Sequence, residues 1–213
     1  CFTAQGMSVT TYDGGCTYTT TVTDIDGNTY PVVTIGNQTW MAENLRTSRY
    51  KNGSAIAHVI DDMEWYNLTR DEWCYPANDE NLNLSYGKLY NWYAASNPNI
   101  CPEGWHVPTD AELTVLSNYL GGDNIAGGKL KAVSSLWQPP NTGATNETCF
   151  SGQAGGDRST SFGVFTNTGS SGYLWSATEN GTLWAWFRVM SSTSTTFNRD
   201  IWGKGTGCCV RCI

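Results

Sequence analysis

A chain of 213 residues with 12 basic and 19 acidic side chains is long enough to bury a sizeable core as one large domain, or as one domain with a short appendage. Charged residues make up only 15%, against roughly 25% in an average soluble domain, while aromatics reach 13% and include ten Trp; this excludes a coiled coil, a long-helix bundle and an acidic disordered tail. A net charge of -7 with no Lys/Arg cluster argues against nucleic acid and anionic lipid as partners, and no apolar run approaches the ~18 residues of a spanning helix. The opening residues lack the charged and apolar regions of an export signal, so any signal is expected to be gone already.

In chain order, residues 1–22 are Thr-rich with little apolar content and are expected to form an N-terminal arm that could add an edge strand. Asp24-Ile25-Asp26-Gly27-Asn28 is a turn signal, followed by a strand at 30–35, a tight turn at Gly36-Asn37 and a second strand at 38–41. The same string resembles the opening of a calcium loop, but Ile35 stands where the closing Glu belongs, so a turn is the better reading. Residues 50–99 are irregular and aromatic, with Leu89, Trp92 and Tyr93 spaced for a short helix.

The clearest helix is expected over 110–120. Pro108 precedes it, Thr109 and Glu112 form a capping box, Leu113, Leu116 and Leu120 share a face, and Gly121-Gly122 ends it. A second short helix is expected over 125–134, a long loop over 137–172, and β structure from 173 to 213. Strands, helices, a loop, then strands point to α+β rather than a parallel α/β sheet.

Eight cysteines, at 1, 16, 74, 101, 149, 208, 209 and 212, suit disulfides in an oxidising compartment, hence an exported protein. Cys209 and Cys212 form a lone CxxC without a zinc-finger companion. Cys208 and Cys209 point to opposite faces if they lie on a strand, so they serve different partners. Pairing Cys1 with Cys16 closes the cysteine count evenly and pins the arm, whereas a lipid-bearing Cys1 leaves a thiol over; the pairing is expected, and the short loop contributes about 3 kcal/mol at most. Partners for Cys74, Cys149, Cys208 and Cys209 stay open.

Several ordered motifs occur along the chain: Ile35-Gly36-Asn37-Gln38-Thr39-Trp40-Met41-Ala42-Glu43-Asn44-Leu45, Tyr86-Gly87-Lys88-Leu89-Tyr90-Asn91-Trp92-Tyr93-Ala94, Cys101-Pro102-Glu103-Gly104-Trp105-His106-Val107-Pro108-Thr109-Asp110-Ala111-Glu112, Trp175-Ser176-Ala177-Thr178-Glu179 and Val210-Arg211-Cys212. With Asp24-Ile25-Asp26-Gly27-Asn28 ahead of them, the chain resembles the Fibrobacter succinogenes major paralogous domain over roughly 22–212. The resemblance implies residues 23–213 as one C-type-lectin-like domain, exported by Bacteroidetes-like bacteria or carried on their phages. It also implies a disulfide between Cys101 and Cys212, because lectin-like folds commonly tie a helix region to the terminal strand. Gly207-Cys208-Cys209 departs from the family's usual ending and suggests added bracing of the last strand.

Three classes of function remain. Enzyme chemistry has little to stand on: His58 and His106 have neither GxSxG nor HExxH around them, and Asp61, Asp62, Glu64, Asp71 and Glu72 read as a solvated acidic stretch. A bound cation would be calcium, held by oxygens of Asp61, Asp62, Glu64, Asp157, Glu179 and Asp200. A binding module fits better, with residues 180–203 as the surface for a glycan or protein ligand and Asn180, Trp184, Asn198, Arg199, Asp200 and Trp202 as contacts. In relatives this stretch is sometimes the target of diversity-generating mutagenesis, which the resemblance carries here. Trp202 is expected on a loop, and the Ser/Thr run 191–196 in solvent. On strand parity Trp184, Trp186 and Arg188 share one face, and Leu183, Phe187 and Val189 the other. The third class is a structural subunit of a surface fibre or phage tail that self-assembles through its arm by strand addition.

Overall fold

The computed structural model describes residues 11–12, 15–67 and 69–213. Cys1 lies outside them. The architecture is α+β, with several small, mostly antiparallel sheets, few helices and, among the described residues, two disulfides. Strands β1 (Thr11–Tyr12) and β2 (Cys16–Thr17) form a small hairpin. Next comes a sheet of β3 (Thr21–Thr23), β4 (Thr29–Ile35) and β5 (Gln38–Met41). The Asp24 to Asn28 string is indeed a turn: Asp24 Oδ1 accepts from the amides of Asp26 and Asn28 at 2.9 Å, and Asp24 Oδ2 accepts from the Tyr30 hydroxyl.

The middle of the chain is pinned by short elements: β6 (Ala57–His58), α1 (Asp62–Asn67), β7 (Glu72–Cys74), α2 (Asn83–Tyr86), β8 (Leu89–Tyr90) and α3 (Trp92–Ala95). The sequence's expected helix around Leu89 shrinks to the single turn of α3, because Leu89 is committed to β8 and Asn91 caps the turn by accepting from the Ala94 amide. Two longer helices follow, α4 (Asp110–Tyr119) and α5 (Asp123–Leu130). The capping box of α4 forms as its sequence requires, Thr109 and Glu112 satisfying each other's backbone amides. Helix α5 starts and ends earlier than 125–134, since Lys131 is already extended. Its Gly127 and Gly128 are there for close approach: a Cβ on Gly127 would stand 2.0 Å from the Thr196 carbonyl oxygen.

The long loop region carries only β9 (Asp157–Arg158) and β10 (Phe165–Thr166). Then β11 (Ser171–Asn180), β12 (Trp184–Ser191) and β13 (Phe197–Gly203) form the largest sheet, in that order and antiparallel. Both faces of its inner half are buried. Trp175, Ala185 and Phe187 join one apolar cluster with Trp73, Tyr90 and Val210, while Leu174, Met190 and Phe197 join a second with Trp40, Leu113, Leu116 and Phe150. Such two-sided burial explains why β12 reads as a nearly continuous apolar run.

The last residues are a buried thread that ties these pieces together. Residues 206–212 are all buried, and their backbone bridges Arg158, Tyr90 and Leu174 and accepts from the amides of Met41 and Leu45. Cys101–Cys212 closes the thread, the pairing that the family resemblance implies. The expected Cys1–Cys16 bond is corrected: Cys16 is bonded to Cys149, 133 residues away. The physical reason is packing, since β2 lies on the 146–151 loop, where Asn146 donates toward Cys16 and Tyr18 donates to the Cys149 carbonyl. Cys74, Cys208 and Cys209 are buried thiols, and burial pushes those of Cys74 and Cys209 up to about 12.

Candidate functional site

The outer half of the β11–β13 sheet is where aromatic side chains leave the core. Leu183 and Trp184, at the tip between β11 and β12, are 67% and 46% exposed. Cross-strand register places Asn180 opposite Trp184, Trp186 opposite Ile201 and Arg188 opposite Arg199, so these residues share one face. On it the Arg199 guanidinium lies 3.4 Å from the Trp186 ring centroid. Arg199 also grips Asp110, the first residue of α4, through Nε at 2.8 and 3.0 Å and Nη2 at 2.8 Å. The result is a ledge of Trp184, Trp186 and Arg199 whose cation is fixed in place by a bidentate carboxylate.

The opposite face holds Asn198, Asp200 and Trp202, cross-strand from Val189, Phe187 and Ala185. Trp202 is a correction to the expected loop position. It lies on β13, half-buried, stacked on Phe187 at 4.9 Å and tilted against Tyr173 at 4.8 Å. The strand continues to Gly203 because seven consecutive residues pair with β12, which leaves Trp202 as an outer member of a core aromatic cluster. Asn198 and Asp200 are exposed beside it. The six expected contact residues therefore divide between two faces, Asn180, Trp184 and Arg199 on one and Asn198, Asp200 and Trp202 on the other.

The Ser/Thr run 191–196 also departs from expectation. It is docked on α5 rather than held in solvent: the Gly128 amide donates to the Thr195 carbonyl at 3.0 Å, and Thr195 Oγ1 donates to the Asn124 carbonyl. The buried Lys131 ammonium donates to the carbonyls of Thr142, Ser191 and Ser194 at 2.7 to 2.9 Å, and burial lowers its pKa to about 8. The surface at 180–203 thus has a rigid base.

The remaining candidates scatter. His106 Nε2 meets Glu112 Oε1 at 2.9 Å on the surface, and His58 stacks on Trp73 at 4.0 Å. Of the acidic residues considered for calcium, Asp62 faces Arg158, Glu64 faces Arg70, Glu179 faces Lys204, and Asp157 is buried against Thr166 and Asn167. Among the described residues no group of three or more His, Cys, Asp or Glu side chains is placed to hold a metal ion. A separate pocket of about 240 Å³ lies between Pro31, Ala42, Asn44 and Gln153, and its Glu43 and Arg46 are paired with each other.

Sequence reasoning missed the interior cations. Arg46, Lys88, Lys131, Arg158, Arg188, Lys204 and Arg211 are buried, seven of the chain's twelve Lys and Arg. Each is positioned by carbonyls, carboxylates or ring faces: Arg188 donates to Asp123 Oδ1 at 2.6 Å, Thr114 Oγ1 at 2.9 Å and the Phe197 carbonyl at 3.1 Å. Only the scarcity of basic residues hinted at this.

Two disulfides are compatible with an exported protein, and no described helix is long and apolar enough to cross a membrane. The family model of the Fibrobacter succinogenes major domain matches residues 33–213, whereas no curated protein and no solved structure matches the chain. With the match running from the middle of β4 through the buried C-terminal thread, the chain belongs to the Fibrobacter succinogenes major domain family.

Proposed function

We propose that this is an exported recognition module of C-type-lectin-like architecture, which binds a glycan or protein ligand through the outer half of its C-terminal sheet and carries out no chemistry of its own. The observation behind this reading is the Trp184, Trp186 and Arg199 ledge. Indole faces offer large apolar contact with little conformational freedom to lose, and a guanidinium already locked by Asp110 has no ordering cost left at binding. Asn180 on the same face supplies an adaptable amide, and Asn198 and Asp200 extend the polar rim across the strand edge.

Assembly through the arm is the weaker reading. Residues 21–23 are paired to β4 and Cys16 is stapled to Cys149, so this part of the arm is committed to its own domain. A glycan array read beside binding to cell-surface protein, with the intact chain and with Trp184→Ala, tests the proposal. Loss of binding at an unchanged melting temperature supports it, and binding that survives Trp184→Ala and Arg199→Ala together refutes the ledge as the site.

A further inference from the structure

A second surface is built around α1, away from the ledge. Ile60, Met63, Tyr66, Phe162 and Val164 are 62%, 53%, 48%, 69% and 46% exposed. Two of them meet directly, the Tyr66 and Phe162 rings stacking at 5.9 Å, and Gly163, between Phe162 and Val164, sits so close to α1 that a Cβ there would be 2.3 Å from the Asp62 carbonyl oxygen. The mounting is rigid. Arg158, fully buried beneath, donates to the carbonyls of Gly163, Val59 and Ile60 and to Asp62 Oδ1, all within 2.6 to 2.9 Å.

Phe162 makes this patch more than stray apolar residues. Its φ is 60°, the left-handed region that a bulky side chain avoids, while the other non-glycine residues there among those described are Asn, Ala, Ser or Cys. The chain holds a strained phenylalanine with its ring largely in water, and the fold gains little from either. Here the surrounding structure holds the strain, through Gly163 packed on α1 and Arg158 on the Gly163 carbonyl, and strain held in this way clusters at binding sites.

The rim gives the partner's charge. Asp61 precedes α1 and Glu64 lies in its first turn, and Asp79 and Glu80 follow Asn78, whose side-chain amide donates to the Ile60 carbonyl. Of the nearby cations, Arg158 is buried and paired with Asp62, Arg70 is held between Glu64 and Glu72, and Lys88, on the Glu80 side, is buried over the Trp73 ring. A second copy of this chain would set the same carboxylates against each other. We infer that this patch docks a cationic amphipathic polypeptide segment, whose apolar side chains cover Met63, Tyr66 and Phe162 while its Lys or Arg residues meet the acidic rim. The inference is independent of what the ledge binds.

The probe is a short, fluorescently labelled Leu/Lys peptide that forms an amphipathic helix, with an all-Lys peptide as control. The intact chain should bind the first and not the second, and binding should weaken several-fold between about 50 and about 500 mM salt. Phe162→Asn should weaken it about tenfold, and because Asn adopts this φ more readily, the melting temperature should hold or rise. Trp184→Ala should leave peptide binding unchanged, which separates this surface from the ledge. If Phe162→Asn does not fold, Met63→Ser and Val164→Ser give the same reading. The inference falls if binding is indifferent to all of these substitutions or equal for the all-Lys peptide. It also falls if Phe162→Asn instead abolishes self-association in sedimentation or a glycan signal.

Discussion

Arg188 and Arg199 stand directly opposite each other on neighbouring strands and face the same side of the sheet, yet one is an interior brace and the other a surface group. Arg188 is 1% exposed and joins β12 to α4 and α5 through Thr114 and Asp123; Arg199 is 38% exposed and lies across Trp186. Two like charges at this spacing oppose folding unless each has its own carboxylate, and Asp123 and Asp110 supply them. Within one strand spacing the face changes from a sealed interface under two helices to an open aromatic ledge. A braced inner half is what lets the outer half expose Trp without losing its shape.

The strongest way to break that contrast is to remove the covalent tie of the inner half. Cys101–Cys212 spans 111 residues and anchors the buried thread that runs beside Tyr90 and β11. The double substitution Cys101→Ser, Cys212→Ser should cost about 4 to 5 kcal/mol in the chain-entropy model, read as a fall in urea midpoint. A smaller loss would mean that the thread's hydrogen bonds hold it without the bond.

Next in size is Arg188→Ala, expected to cost about 3 kcal/mol in urea unfolding. The figure sits at the low end for a buried charge because Asp123 is half exposed and regains water once its partner is gone. It should also loosen the 191–196 turn, measurable as faster amide exchange at Gly128, whose amide bonds to the Thr195 carbonyl.

Glu72 inverts the pattern of satisfied interior charges. Its carboxyl is 1% exposed, Oε1 meets Arg70 at 3.1 Å, and Oε2 finds no hydrogen-bond partner among the described residues. Burial pushes its pKa up to about 7, against the pull of Arg70. A carboxyl with a folded pKa above its unfolded one, about 4.5, holds its proton more tightly when folded, so it favours the folded state at acid pH and loses that advantage as pH rises to about 7. Glu72→Gln should therefore stabilise by on the order of 2 kcal/mol at pH 8 and change little at pH 4, measured by urea unfolding at both.

Legibility in the sequence followed the range of the interactions. Helix α4 and the β4–β5 hairpin could be read because capping and alternation act over a few residues. The Cys101–Cys212 pair came through the family motifs, whereas Cys16–Cys149 had no local signature, since it depends on where β2 packs. Parity along β12 separated Trp184 and Trp186 from Phe187, but could not tell which face the helices cover, and it placed Arg188 beside the exposed pair. Interior cations were invisible for the same reason: a Lys or Arg in sequence reads as surface until the carbonyls that converge on it are known.

The smallest effect on stability, and the one that sharpens the contrast most, belongs to Arg199→Ala. Its bridge to Asp110 is partly exposed, and Asp110 keeps a favourable place in the first turn of α4, near the positive end of the helix dipole, when the arginine leaves. The cation over the Trp186 ring adds a comparable, equally small amount. Unfolding should thus change by less than about 1 kcal/mol, roughly a third of the Arg188→Ala effect on the same face. Ligand binding should respond the other way round, weakened strongly by Arg199→Ala and left intact by any Arg188 substitution that still folds. A stability loss for Arg199→Ala as large as that for Arg188→Ala would place the ledge in the core and leave the sheet without an outer, ligand-facing half.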